Sequence, residues 1–183
     1  REALSFYSTT LEDSRLQQST LLANIAFSQT LLGQRAQALQ SLGQAIEIKQ
    51  KLLGSSHAET ARLMLSLGAL KEEMGDLKGA LEASEQALRD LSELLGPENL
   101  GTAFAMQRLS EIARETGLAS QAKEWSQSAL KVRRRQLPEN HPDIATSLLG
   151  LGLSELSLGE LDKAARDLEE ATRIRREMLG RAH

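Results

Sequence analysis

The chain has 183 residues, a net charge of −3 and an isoelectric point near 5.7, a balance that gives no general pull toward nucleic acid or an anionic membrane. It contains no cysteine, which excludes disulfides, thiolate zinc sites and cysteine catalysis and fits an intracellular, cytoplasmic setting. Hydrophobic residues make up 40% of it but aromatics only 3%, so the core must be built from Leu and Ala, which suits close-packed helices better than strands.

In chain order, residues 1–12 read as the tail of a helix, with Ala3 in the column of Ala45 and Leu11 in that of Leu53. Helices then follow in pairs: 19–32 with 35–53, 59–74 with 77–95, 99–116 with 119–137, and 143–158 with 161–179. In the second pair Met64, Leu67, Gly68 and Met74 share one side of the first helix. Gly75-Asp76 breaks the chain, glycine taking a left-handed position and Asp76 capping the next helix. Leu77, Ala80, Leu81, Ala87, Leu88, Leu91 and Leu95 form the buried side of the second helix, which Gly96-Pro97 ends. The same reading recurs at a period of 42 residues: Gly33, Gly75, Gly117 and Gly159, then Ala38, Ala80, Ala122 and Ala164, then Ala45, Ala87, Ala129 and Ala171. Such a period predicts an all-α solenoid of about four helix-turn-helix repeats spanning 19–54, 59–96, 99–138 and 143–180. The pattern is interrupted at both ends, as expected of a fragment of a longer array; a targeting segment of a longer parent would be missing. No apolar run reaches the roughly 18 residues that a membrane-spanning helix needs.

The pattern L-x-x-L-G in the first helix, Gly at the turn and A-x-x-x-x-x-x-A in the second resembles the tetratricopeptide repeat. The links Leu53-Gly54-Ser55-Ser56-His57, Leu95-Gly96-Pro97-Glu98-Asn99, Leu137-Pro138-Glu139-Asn140-His141-Pro142 and Leu179-Gly180-Arg181-Ala182-His183 are similar to those of the longer, kinesin-light-chain type of repeat. The chain departs from the family where aromatics are usual: those columns hold Gln29, Lys71, Ala113 and Glu155, and Leu42, Ser84, Ser126 and Leu168. Of the Asn-Asn pair common in kinesin light chains only Asn24 is present. The resemblance implies a right-handed α-α superhelix whose first helices line a concave side, and a role as a protein-binding scaffold or adaptor.

In the opening helix Leu22, Ile25 and Ala26 pack on the partner helix, and a second stripe, Ala23, Asn24, Phe27 and Leu31, lies about 100° round. Its equivalents are Arg62, Leu65, Ser66 and Ala69; Phe104, Gln107, Arg108 and Glu111; and Leu149, Gly150, Leu153 and Leu156. A groove of Asn24, Phe27, Leu31, Arg62, Leu65, Ser66, Phe104, Gln107, Arg108, Leu149, Leu153 and Leu156 would be apolar at its ends and polar between. It suits an amphipathic helix or an extended peptide with acidic residues. Packing between successive first helices is the other reading of Leu65 and Leu149. Self-association through exposed terminal helices, giving a homodimer, is the alternative function.

His57, His141 and His183 fall in one column, with Asn99 in the gap. Equivalent positions of stacked repeats lie about 8–10 Å apart, too far for one zinc ion, so a capping role is expected and no metal. The basic run Lys131-Val132-Arg133-Arg134-Arg135 recurs as Arg173-Ile174-Arg175-Arg176, late in second helices where cations complement the dipole; an anionic contact on the array's edge is the alternative. No phosphate loop, G-x-S-x-G or H-E-x-x-H occurs, so neither an enzyme nor a cofactor is expected, and neither a nucleic-acid partner nor insertion into a membrane.

Overall fold

The computed structural model describes the backbone of residues 2–181 and the side chains of residues 10–178 and Gly180. The side chains of Ala3, Leu179 and Arg181, and the whole of Ala182 and His183, lie outside the described residues. Among the described residues there are eight helices and no strand: α1 (Glu2–Leu31), α2 (Arg35–Leu53), α3 (Ala58–Glu73), α4 (Leu77–Leu95), α5 (Leu100–Glu115), α6 (Ala119–Gln136), α7 (Pro142–Ser157) and α8 (Leu161–Arg181). The chain divides into two compact units, Arg1–Leu94 and Leu95–His183.

One element differs from expectation. α1 is a single helix of 30 residues, without the break expected between 12 and 19. The reason is local: residues 1–32 contain neither glycine nor proline, and Glu12–Gln18 offers no other stop signal, so the helix propagates.

The remaining bounds follow the punctuation. Gly33, Gly75, Gly117 and Gly159 all take positive φ, between 73° and 81°, a region open to glycine at little cost. Helix starts are capped by side chains in one repeated column. His57 Nδ1 accepts from the Glu59 amide at 3.2 Å, Asn99 Oδ1 from the Gly101 amide at 2.8 Å, and His141 Nδ1 from the Asp143 amide at 3.1 Å. Each satisfies an amide that the helix itself leaves open.

Both alanine columns are sealed: Ala38, Ala80 and Ala122 are 0% exposed, as are Ala45, Ala87 and Ala129. Small residues there let paired helices approach. The opposing contact is tuned by size. Gly152 faces Leu168, whose Cγ lies only 2.7 Å from where a Cβ would be, and Gly68 faces Ser84. In the third repeat Ser110 meets Ser126 instead, with their hydroxyls 2.6 Å apart.

In the first unit the core gathers Ala26, Ala38, Leu42, Ile46 and Leu70, with Leu39, Leu63, Met64 and Leu67 packed against it. Three expected packing residues stay open: Ile25 is 39%, Met74 44% and Leu95 39% exposed. In the second unit Leu130, Ile144, Leu148, Leu151 and Ile174 form the main cluster between α6, α7 and α8. Ala103, Ala129 and Val132 join α5 to α6.

Candidate functional site

In the first unit α1 and α3 flank a cleft of 240 Å³. Ala23, Phe27 and Thr30 line it from α1; Ser66, Ala69 and Glu73 from α3; Leu42 of α2 forms part of its floor. Helical spacing puts 23, 27 and 30 on one face, and 66, 69 and 73 on the facing one. The walls are mostly apolar, and Phe27 stands 66% exposed at the edge. Its hydroxyls are already used within their own helices: Thr30 Oγ1 donates to the Ala26 carbonyl at 2.9 Å and Ser66 Oγ to that of Arg62 at 3.3 Å. Glu73 is paired with Arg35 at 3.4 Å.

The expected groove residues of this unit do not all come together. Phe27 and Ser66 share the cleft, and Leu31 continues Phe27's stripe one turn on, 73% exposed. Arg62 is exposed on α3. Asn24 instead lines a different depression of 580 Å³, with Leu16, Thr20, Leu21, Lys49 and His57. Leu65 is 5% exposed; the structure uses it for packing. Thr30 and Glu73 were missed by the sequence reading, although Glu73 lies four residues after Ala69 on the same stripe.

In the second unit Phe104 and Leu156 are each 51% exposed. Leu153 is half-buried, and Leu149 packs against the α6–α8 cluster. Gln107 is 3% exposed and held in a polar network: its Oε1 accepts from Arg133 Nη1 at 3.3 Å, and its Nε2 donates to Glu111 Oε1 at 3.4 Å. It also abuts Gly150, where a Cβ would lie 2.9 Å from its Nε2. Gln107 therefore joins α5 to its neighbours rather than facing solvent. Arg108 is ion-paired with Glu111 one turn along α5.

The arginines of the first basic run have partners within the chain. Arg133 is 3% exposed and donates to the Asp143 carbonyl at 3.0 Å and to Ser147 Oγ at 2.6 Å. Burial lowers its pKa, which the nearby Asp143 and Glu111 carboxylates oppose. Arg134 binds Glu170 at 2.8 Å and Arg135 binds Glu98. Three cations of the run thus have partners within the chain, while Lys131 is exposed.

Glu155 occupies a column where the family usually has an aromatic. It is 3% exposed, and its Oε2 has no hydrogen-bond partner. Burial first, and then the neighbouring Asp167 carboxylate, push its pKa up. Lys123 lies 3.9 Å away but is drawn mainly to Glu160, at 2.6 Å. Among the described residues no group of three His, Asp or Glu side chains is arranged to hold a metal ion.

A family model described as "Tetratricopeptide repeat" matches residues 16–91 and 111–177. Among solved structures, BtubC (BKLC) from P. vanneervenii is 19% identical with a TM-score of 0.80, covering 88% of this chain and 65% of its own. A putative kinesin light chain of Podosopora anserina with nearly identical TPR-like repeats is 21% identical with a TM-score of 0.72, covering 87% and 76%. The apo form of RapI is 13% identical with a TM-score of 0.79, covering 89% and 57%. The chain thus spans under two thirds of the BtubC and RapI chains. No curated protein sequence matches it.

Proposed function

This chain belongs to the tetratricopeptide repeat family, and on that premise we propose that it is a protein-interaction scaffold whose α1/α3 cleft receives an amphipathic helix or an extended peptide. One observation carries the reading: an aromatic ring, Phe27, stands two-thirds exposed beside a mostly apolar cleft of 240 Å³. A lone exposed apolar residue needs no explanation, but one that edges a concave apolar surface is a docking feature. Arg62, exposed on α3 one turn before Ser66, would meet an acidic residue of the ligand. The role is binding rather than catalysis, because the cleft's hydroxyls are spent on backbone carbonyls and its carboxylate on Arg35. A cytoplasmic partner is the natural one for a cysteine-free chain; no helix among the described residues is long and apolar enough to cross a membrane.

The test is peptide selection against the intact chain, with titration of the selected peptides into Phe27→Ala. Binding should fall about tenfold or more, as for truncation of a buried aromatic anchor, with the melting temperature unchanged. Unchanged affinity would place the ligand elsewhere.

A second reading, self-association, is supported by the open apolar residues of α1: Leu11 is 63% and Leu21 60% exposed. Sedimentation at increasing concentration tests it; a monomer throughout would remove it.

A further inference from the structure

Two columns of the repeat face each other near the turn of each helix pair. Late in the first helix they read Gln29, Lys71, Ala113 and Glu155; early in the second, Ser41, Ala83, Trp125 and Asp167. The first repeat shows that side chains in these columns meet, since Ser41 Oγ donates to Gln29 Oε1 at 2.9 Å. In the second repeat Ala83 offers no partner, and Lys71 turns to Asp76 at 3.2 Å. The third is neutral, with Ala113 at 0% exposure and Trp125 half-buried. The fourth sets two acids opposite one another, with Asp167 within hydrogen-bonding reach of Glu155.

This pair lacks what the first repeat has, a donor. Two ionised carboxylates only accept, and side by side in a desolvated site they repel. Glu155 is 3% exposed, and no donor meets its Oε2. Lys123 of α6, 3.9 Å from Glu155, is engaged by Glu160 of the turn at 2.6 Å, and Glu160 also takes Lys163 of α8 at 2.7 Å. The hydrogen bonds from Lys123 and Lys163 hold the pKa of Glu160 down. That of Glu155 is pushed up, by burial first and then by Asp167, against the pull of Lys123. A single proton between the two carboxyls supplies the missing donor and removes one of two like charges.

We propose that Glu155 and Asp167 hold one proton between them in the folded chain, and that this shared proton is a pH-operated latch between α7 and α8. The latch closes the turn end of the pair. Beyond it Gly152 lies against Leu168, and Leu151, Ala171 and Ile174 belong to one apolar cluster. Loss of the proton leaves two facing carboxylates at the turn end while the cluster still holds the far end, so α8 loosens over its first two turns. The sense follows from the raised value: the bond is complete at acid pH and is lost as pH rises from the ordinary carboxylate range through that value. Gln29 with Ser41 is the same contact made permanent.

Carbon NMR of the carboxyl groups across pH tests the shared proton on the unmodified chain, and amide hydrogen exchange reads the latch. One step displaced above the ordinary carboxylate range should be reported by Glu155 and Asp167 together. Protection of amides 164–168, corrected for intrinsic rates, should fall by up to about tenfold per pH unit until that step is complete. Glu155→Gln supplies a permanent donor, so protection should stay at its acid-pH level throughout, and Asp167→Asn should do the same. Lys123→Met should move the step further up, because it withdraws a cation that favours the charged carboxyl. Separate titrations within the ordinary range, protection of α8 that ignores pH in the parent, or a pH dependence that survives in both amide variants would overturn the proposal. Should either variant not fold, the parent's carboxyl titration still decides.

Discussion

At the scale of single residues, the repeat column His57, Asn99 and His141 does one job with two chemistries. Each side chain accepts from the amide two residues on. Asn99→Ala removes that acceptor without altering charge and should cost about 1 kcal/mol, read as a lowered melting temperature. Glu155 is costly in the opposite sense. Because its folded pKa is raised, by burial and by Asp167, its contribution is complete below the ordinary carboxylate range and is lost as pH rises through the raised value. Asp167 on α8, Lys123 on α6 and Glu160 in the turn face it. Glu155→Gln should therefore melt at a higher temperature than the parent at neutral pH, the difference vanishing at acid pH. A variant less stable throughout would show that the charged carboxylate is favourable where it sits.

At the scale of elements, paired helices approach through small residues, and their spacing sets what each surface can expose. Ala80 is 0% exposed, so Ala80→Leu overpacks the α3/α4 contact and should cost roughly 1–3 kcal/mol; a melt with no loss would contradict that packing. Gly152→Ala should destabilise for the same reason, as its Cβ would meet the branched carbon of Leu168. Much of this level was legible in the chain. The four spaced glycines set the turns, the alanines the crossings, and the histidine column the caps, because each obeys a local rule. The continuity of α1 was less legible, since an expected break rested on alignment with other repeats and not on a stop signal in residues 12–18. The groove was legible only in part. Phe27 and Ser66 share the cleft, whereas Leu65 and Gln107 are buried by neighbouring helices, and periodicity within one helix cannot say which of its faces a neighbour covers. The depth of Arg133 was invisible for the same reason: a run of cations reads as solvated until Ser147 and the Asp143 carbonyl are seen beneath it.

At the scale of the whole molecule, each unit carries its own surface. The first offers an apolar cleft, and the second offers half-exposed Phe104 and Leu156. Net charge is small, and the cleft is lined mostly by apolar side chains, so capture in the α1/α3 cleft should depend on apolar contact more than on salt. The cleft's most direct test is calorimetric titration of a selected peptide into the intact chain and into Phe27→Glu at low and high salt. A charge placed at the cleft's edge should abolish binding to a variant that still melts as the parent does, while the parent's affinity changes little with salt. Equal binding by the two proteins, or an affinity for the parent that collapses as salt rises, would contradict a binding role for the cleft.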